Sequence, residues 1–130
     1  MEMSEIKNFV KPETLQFVST PRKMLIGGNW VDGSSGLRLE VKNPANEQLL
    51  TTVPAGNAGD IGLAVKAARR AFGSGPWSEM LPTHRERLLL KLADLVEANA
   101  QNLAEIESLD NGKTVAMARA VDVGLVVVFF

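Results

Sequence analysis

The sequence has 130 residues, with 14 lysine and arginine residues against 15 aspartate and glutamate residues, a single histidine and no cysteine. A net charge of −1 gives no general attraction to phosphate backbones, which argues against a nucleic acid partner. Without cysteine these residues form no disulfide, thiolate metal site or thiol nucleophile, and one histidine cannot build a multi-histidine metal centre. The length is that of one domain.

The beginning of the chain carries charges throughout, together with Pro12 and Pro21. This pattern predicts a flexible N-terminal leader over residues 1–23 and lacks the apolar run of a secretory signal. The longest uncharged apolar run, residues 123–130, is far shorter than the ~20 residues that span a bilayer. We therefore expect a cytoplasmic protein with no membrane partner.

Residues 24–56 have the pattern of two small β-hairpins. Gly27 and Gly28 tolerate the positive φ angles that a tight hairpin turn requires. Apolar and charged residues then alternate over 37–42, which is typical of a half-buried strand. Asn43-Pro44 ends this strand, and its partner is predicted over 49–53.

From residue 57 the apolar spacing becomes helical. Asn57 and Asp60 predict a capping box at the start of a helix that ends at Gly73. Thr83 and Glu86 predict a second capping box, and a third helix is expected from near Asn99 to Gly112. The apolar stripe of the second helix, which we expect to be buried, consists of Leu88, Leu89, Leu92, Leu95 and Val96.

The end of the chain is ambiguous from its residues alone. Residues 114–120 suit a helix, whereas residues 121–130 are rich in β-branched and aromatic side chains that favour strands. The run closes on two phenylalanines without a polar cap, and an exposed run of this kind is an aggregation hazard. The pattern predicts a chain cut within a secondary structure element.

Few side chains offer chemistry. His84 is expected to be a solvated surface residue, and Glu105 and Glu107 lie on different faces of their helix, so they do not form an acid–base pair. Asp110 stands at a predicted helix C-terminus, where the helix dipole disfavours a carboxylate. Asp110 is either a residue that caps the backbone or a functional carboxylate whose negative charge is balanced by a cation. Composition and spacing indicate an α/β segment without an active site of its own.

Several short motifs occur in an order that resembles the N-terminal portion of the aldehyde dehydrogenase superfamily. They extend over residues 26–113, about two-thirds of the chain. The motifs are Ile26–Val31, Val41–Ala45, Val53–Gly56, Ala64–Phe72, Gly75–Trp77, Arg85–Glu97 and Glu107–Lys113.

The resemblance implies an α/β fold that is the N-terminal part of an NAD-binding domain. Two small β-hairpins would be followed by three to four α-helices in an incomplete fold, with the domain portion at residues 24–130. In the family the segment after Lys113 is a long helix that continues past Phe130. We therefore expect truncation within a helix starting near Thr114, and expect the valine-rich run to be a buried helix rather than a strand.

The family oxidises aldehydes to carboxylic acids with NAD or NADP, using a cysteine thiolate and a glutamate general base. Its catalytic residues and its cofactor-binding glycine motif lie beyond the matched segment. The resemblance thus implies no catalytic and no cofactor-binding residue here, and an inactive chain when taken alone. A small-molecule aldehyde, the cofactor and a homo-oligomeric state are expected for the full-length protein only.

One family feature maps onto this segment. Many members hold a monovalent cation, K⁺ or Na⁺, through the aspartate of the Leu-Asp-Asn-Gly-Lys motif and carbonyls before Asn-Pro. The corresponding groups here are the side chain of Asp110 and the backbone of Val41 and Lys42.

The sequence allows two alternatives to a dehydrogenase fragment. The first is a stand-alone, non-catalytic module that binds a protein partner. The second is a helix-turn-helix DNA binder over residues 83–110, which is disfavoured because its recognition helix would carry Glu105 and Glu107 toward phosphate.

Overall fold

A computed structural model describes residue 6 and residues 8–130. One helix is followed by two short hairpins and then by a series of helices, and the elements are named here in chain order. They are α1 (Pro12–Ser19), β1 (Met24–Ile26), β2 (Asn29–Val31), β3 (Arg38–Lys42), β4 (Leu49–Pro54), α2 (Ala58–Ser74), α3 (Pro76–Glu79), α4 (Pro82–Ala98), α5 (Ala100–Asn111) and α6 (Val115–Met117), followed by a π-helical segment (Ala118–Val123) and α7 (Gly124–Phe129).

The two predicted hairpins are confirmed as two separate antiparallel pairs, β1 with β2 and β3 with β4. Gly27 and Gly28 form the first turn with φ angles of 59° and 83°. In the second hairpin Val41 pairs with Thr51 and Lys42 with Leu49, so one extra residue, Leu50, bulges out of β4. The bulge places the Leu50 side chain in the core, where it is buried.

The capping box predicted at the start of α2 is confirmed. The Asn57 side chain accepts hydrogen bonds from the backbone of Gly59 and Asp60, and the Asp60 carboxylate accepts one from the Asn57 N–H at 3.0 Å. The same carboxylate accepts a bond from the Ser34 N–H at 3.1 Å, which ties the preceding loop to the helix. The Asn57 bond, followed by the bonds from Ser34, lowers the pKa of Asp60 against the opposing effect of burial.

The capping box predicted at Thr83 and Glu86 is wrong. Helix α4 begins at Pro82 with Leu81 as its N-cap, two residues before the predicted N-cap Thr83, and Leu81 makes no side-chain cap bond. Proline fixes a helical φ and needs no N–H partner at the first helical position, so it starts the helix without a cap. The predicted end of α5 is confirmed, since Gly112 follows it with a φ of 82°.

The N-terminal segment differs from the leader that its charges predict. Residues 12–19 form helix α1, which has Thr14 and Val18 buried and packs on α5 and β4. Ile6 is also buried in this region, whereas residues 1–5 and residue 7 of the predicted leader lie outside the described residues. Few apolar positions suffice here because the helix is also held by polar contacts, described below.

Among the described residues, the core consists of two small clusters. Ile6, Val18, Leu50 and Leu109 join α1 to the second hairpin and α5. Ala104, Ala118 and Val123 join α5 to the π-helical segment. The expected burial of the α4 stripe is not observed: Leu88, Leu92 and Leu95 are exposed, because within the described residues α4 packs mainly on α7 and only lightly on α5.

The C-terminal helix, defined here as residues 115–129, is helical throughout, as the family resemblance implies and against the strand propensity of its valines. Thr114 caps it by accepting a hydrogen bond from the Met117 N–H. The expected burial of its end does not occur, since the Phe129 side chain is 82% exposed. In the described part of the chain, no helix is both long and apolar enough to cross a membrane.

Candidate cation site and neighbouring polar contacts

The predicted carboxylate ligand lies where helix α5 meets the second hairpin. Asp110 is exposed in the last turn of α5, and the N–H of Gly112 donates to the Ser108 carbonyl at 3.0 Å. A Cβ at Gly112 would lie 3.2 Å from Cγ of Pro44, so glycine permits both the left-handed backbone and this close approach. The end of α5 therefore rests against the turn that follows Val41 and Lys42.

The predicted backbone ligands lie on β3, before the same turn. Val41 is half-buried and packs against the cluster that contains Leu109, the neighbour of Asp110. Lys42 is exposed, and its Nζ pairs with Glu40 Oε2 at 3.3 Å, which directs its charge along its own strand. The structure thus brings the elements that carry Asp110, Val41 and Lys42 to one corner of the molecule.

The groups at this corner suit a hard monovalent cation. Asp110 forms no ion pair with any described residue, and the free carbonyls and dipole of a helix C-terminus favour positive charge. Gln48, in the same turn as Pro44, has a buried Oε1 that no described donor reaches. In the part of the chain described, no three histidine, cysteine or acidic side chains are placed together so that they could hold a metal ion.

The lysine that follows Asp110 is engaged elsewhere. Lys113 Nζ lies 2.9 Å from both carboxylate oxygens of Asp122 and 3.4 Å from Glu107 Oε1. The bond to Asp122 is the main cause of a raised Lys113 pKa. Because two carboxylates hold Lys113, they define a local ion-pair network distinct from the Asp110 carboxylate.

A carboxylate whose burial the sequence did not predict, that of Glu105, lies on the inner face of α5. The Glu105 residue is only 3% exposed, and its Oε2 accepts hydrogen bonds from the Lys11 N–H at 2.8 Å and the Thr14 hydroxyl at 2.6 Å. Its Oε1 accepts one from Gln101 at 2.8 Å. Burial opposes ionisation, but the bonds from Thr14, Gln101 and Lys11 outweigh it and lower the Glu105 pKa.

This carboxylate caps a helix far away in sequence. Lys11 is the N-cap residue of α1 and provides no side-chain cap of its own, so Glu105 satisfies the N-terminus of α1 from α5. Gln101 continues the contact, because its Oε1 accepts a 2.7 Å bond from Arg119 in the π-helical segment. The available sequence signal was the position of Glu105 one turn before the buried Leu109, which places both on one face.

Other residues considered for chemistry have structural positions. His84 is exposed in the first turn of α4, as predicted. Gly27 and Gly28 form a hairpin turn and do not precede a helix, which a dinucleotide-binding motif requires. Arg69 stacks on Phe72 of its own helix, with its guanidinium 5.7 Å from the ring centre.

The sequence of the chain is similar to those of several known proteins. A family profile described as "Aldehyde dehydrogenase family" matches residues 30–130. Phenylacetaldehyde dehydrogenase of Pseudomonas fluorescens is 45% identical over 104 residues, which are 80% of this chain and 21% of that protein. Aldehyde dehydrogenase 1A1 of Gallus gallus is 48% identical over 103 residues, 78% of this chain and 20% of that protein.

The fold agrees with the sequence comparison. The NAD⁺ complex of aldehyde dehydrogenase from Bacillus cereus superposes with a TM-score of 0.86 at 43% identity, covering 91% of this chain and 24% of that one. Two hairpins followed by helices are the N-terminal part of that larger α/β fold. The chain belongs to the aldehyde dehydrogenase family, and it spans about one-fifth of the length of the curated relatives it matches.

Proposed function

We propose that this chain is the N-terminal portion of an NAD(P)-dependent dehydrogenase that oxidises an aldehyde to a carboxylic acid. The observation that carries the proposal is the match to an NAD⁺-bound aldehyde dehydrogenase over 91% of the chain at 43% identity. NAD is the cofactor named in that matched structure, which supports NAD for the whole enzyme. An aldehyde substrate, a homo-oligomeric state and a cytoplasmic location belong to the same proposal.

The 130 residues taken alone are proposed to be inactive. The reaction needs a soft nucleophile, and the sequence contains no cysteine to supply a thiolate. The role of this segment is structural: it places the end of α5 against the second hairpin and carries the Asp110 carboxylate there. When bound, the cofactor of the whole enzyme supplies the hydride acceptor.

The test measures the intact mass of the protein made by its source cell, followed by aldehyde-dependent reduction of NAD⁺. We expect a species several-fold heavier than 14.0 kDa that reduces NAD⁺ when an aldehyde is added, and no reduction by the 130-residue chain. A 14.0 kDa species without activity would instead favour a non-catalytic module that binds a protein partner.

We further propose that Asp110, with the backbone carbonyls of Val41 and Lys42, binds a monovalent cation in the whole enzyme. In the full-length dehydrogenase, we expect K⁺ or Na⁺ to raise the midpoint of thermal unfolding and Asp110→Ala to remove most of that increase. A ligand present at 100 times its dissociation constant stabilises by about 2.7 kcal/mol. The measurement is thermal unfolding in KCl, NaCl and tetramethylammonium chloride at equal ionic strength.

Asp94→Ala is the matched control, because Asp94 is an exposed aspartate on α4 with no ion pair among the described residues. It should keep the full response to K⁺ and Na⁺. Equal responses of the wild type and Asp110→Ala to the three salts would refute the cation site while leaving the proposed dehydrogenase activity untouched.

A further inference from the structure

A concave surface separate from the Asp110 corner lies between the end of α1 and the first hairpin. It forms an open cavity of about 310 Å³ lined by Phe17, Thr20, Pro21, Arg22, Lys23 and Trp30. Two aromatic rings face it, and the Trp30 residue is 67% exposed although tryptophan is a costly residue to leave in water. Ligand pockets start at roughly 300 Å³, so this cavity is large enough for a single ring with a substituent.

Arg22 gives the cavity a positive charge that no described carboxylate neutralises. Its guanidinium carbon lies 4.3 Å from the centre of the Phe17 ring, and its Nε donates to the Thr20 carbonyl at 2.7 Å. These two contacts fix the plane of the guanidinium. The outer nitrogens make no hydrogen bond or ion pair within the described chain, so they can donate to a ligand.

The surrounding charges leave this guanidinium unpaired. The nearest carboxylate in sequence that forms an ion pair, Asp32, pairs with Lys23 Nζ at 3.1 Å and with Arg38 Nη1 at 3.2 Å. Lys23 and Arg38 thus share one carboxylate, and Arg22 forms no ion pair with a described residue. The balance favours an anion over a neutral or cationic ligand.

The geometry points to a binding site for a small aromatic carboxylate. The carboxylate accepts a bidentate pair of hydrogen bonds from the Arg22 guanidinium, and the ring stacks against the exposed face of Trp30. Arginine suits this role better than lysine because its planar fork matches both oxygens of a carboxylate. The site uses no group of the proposed cation site.

The test is titration of the full-length protein with benzoate, followed by isothermal titration calorimetry and by equilibrium dialysis. We expect saturable binding by both methods. Arg22→Gln should raise the dissociation constant about tenfold or more, the change that the loss of a charge-assisted hydrogen bond produces.

Arg70→Gln is the matched control, since Arg70 is an exposed arginine on α2, outside the cavity. It should bind benzoate as the wild type does. Acetate tests for the carboxylate without the ring and benzyl alcohol tests for the ring without the charge, and both should bind much more weakly. Phe17→Leu, which removes the platform under Arg22, should also weaken binding if Arg22→Gln proves unstable.

Three outcomes would overturn the inference. They are an absence of saturable benzoate binding by both methods, equal binding by Arg22→Gln and wild type, and equal binding of acetate and benzoate. Circular dichroism of each variant confirms that it is folded. None of these outcomes bears on dehydrogenase activity, so the binding site and the proposed function are tested independently.

Discussion

Glu105→Ala should lower the free energy of unfolding by about 2–3 kcal/mol, the scale of hydrogen bonds made to a charged group. The substitution removes the acceptor of the Lys11 N–H and of the Thr14 hydroxyl, and Thr14 is itself buried. Helix α1 then loses its cap and its polar link to α5 at once. Urea unfolding measures the loss, and limited trypsin digestion reports whether the bonds after Arg22 and Lys23, just beyond the end of α1, become accessible.

Glu97→Ala is the control for this prediction, because Glu97 is exposed and its carboxylate has no partner among the described residues. Its stability should stay within about 0.5 kcal/mol of the wild type. Thr14→Val keeps the carboxylate but removes one of its donors, and it should show part of the loss. If Glu105→Ala unfolds at the wild-type urea concentration, Glu105 does not anchor α1.

The same carboxylate sets an acid dependence of stability. Its pKa is lower in the folded chain than in the unfolded one, so its contribution is complete above the ordinary glutamate pKa. The contribution is lost as the pH falls through the folded-state value. Wild type and Glu105→Ala should therefore differ most near neutral pH and converge on acidification, which urea unfolding at a series of pH values measures.

Ala118→Leu should be strongly destabilising, by about 2–3 kcal/mol or enough to change the packing of the C-terminal helix. Ala118 and Ala104 are both 0% exposed and belong to the same cluster, so the two helices approach closely at these small side chains. A leucine has no space there, and the helices must separate to admit it. Thermal unfolding and near-ultraviolet circular dichroism measure the effect.

Ala116→Leu is the matched control, since Ala116 is exposed on the same helix. It should leave stability unchanged or slightly higher, because leucine is a good helix former. Equal losses for the two substitutions would mean that the contact between Ala104 and Ala118 does not limit the packing.

The sequence predicted most elements whose signal is local. The Gly27-Gly28 turn, the Asn57–Asp60 capping box and the stop at Gly112 all depend on residues adjacent in the chain, and all three are confirmed. Burial was predicted poorly on α4. An apolar stripe indicates which face is available for packing, whereas exposure depends on which elements reach it, and Leu92 remains exposed for that reason.

The candidate sites also differ in whether their signal is local in the sequence or depends on contacts between separate elements. Asp110 could be singled out because its position at a helix end conflicts with the dipole, and its pairing with Val41 came from the family resemblance. Glu105 and Arg22 could not be assigned in this way. Their roles depend on contacts with Thr14 and Trp30 or Phe17 across separate elements, and sequence spacing does not reveal such contacts.

The cap that Glu105 provides has a consequence for biosynthesis. Glu105 is translated 94 residues after Lys11, the residue whose N–H it accepts. At a rate of about 5–20 residues per second, Glu105 is synthesised roughly 5–20 s after the residues that begin α1. During that interval the nascent N-terminus is available to chaperones and processing enzymes. Helix α1 can dock through this bond only after α5 has been synthesised.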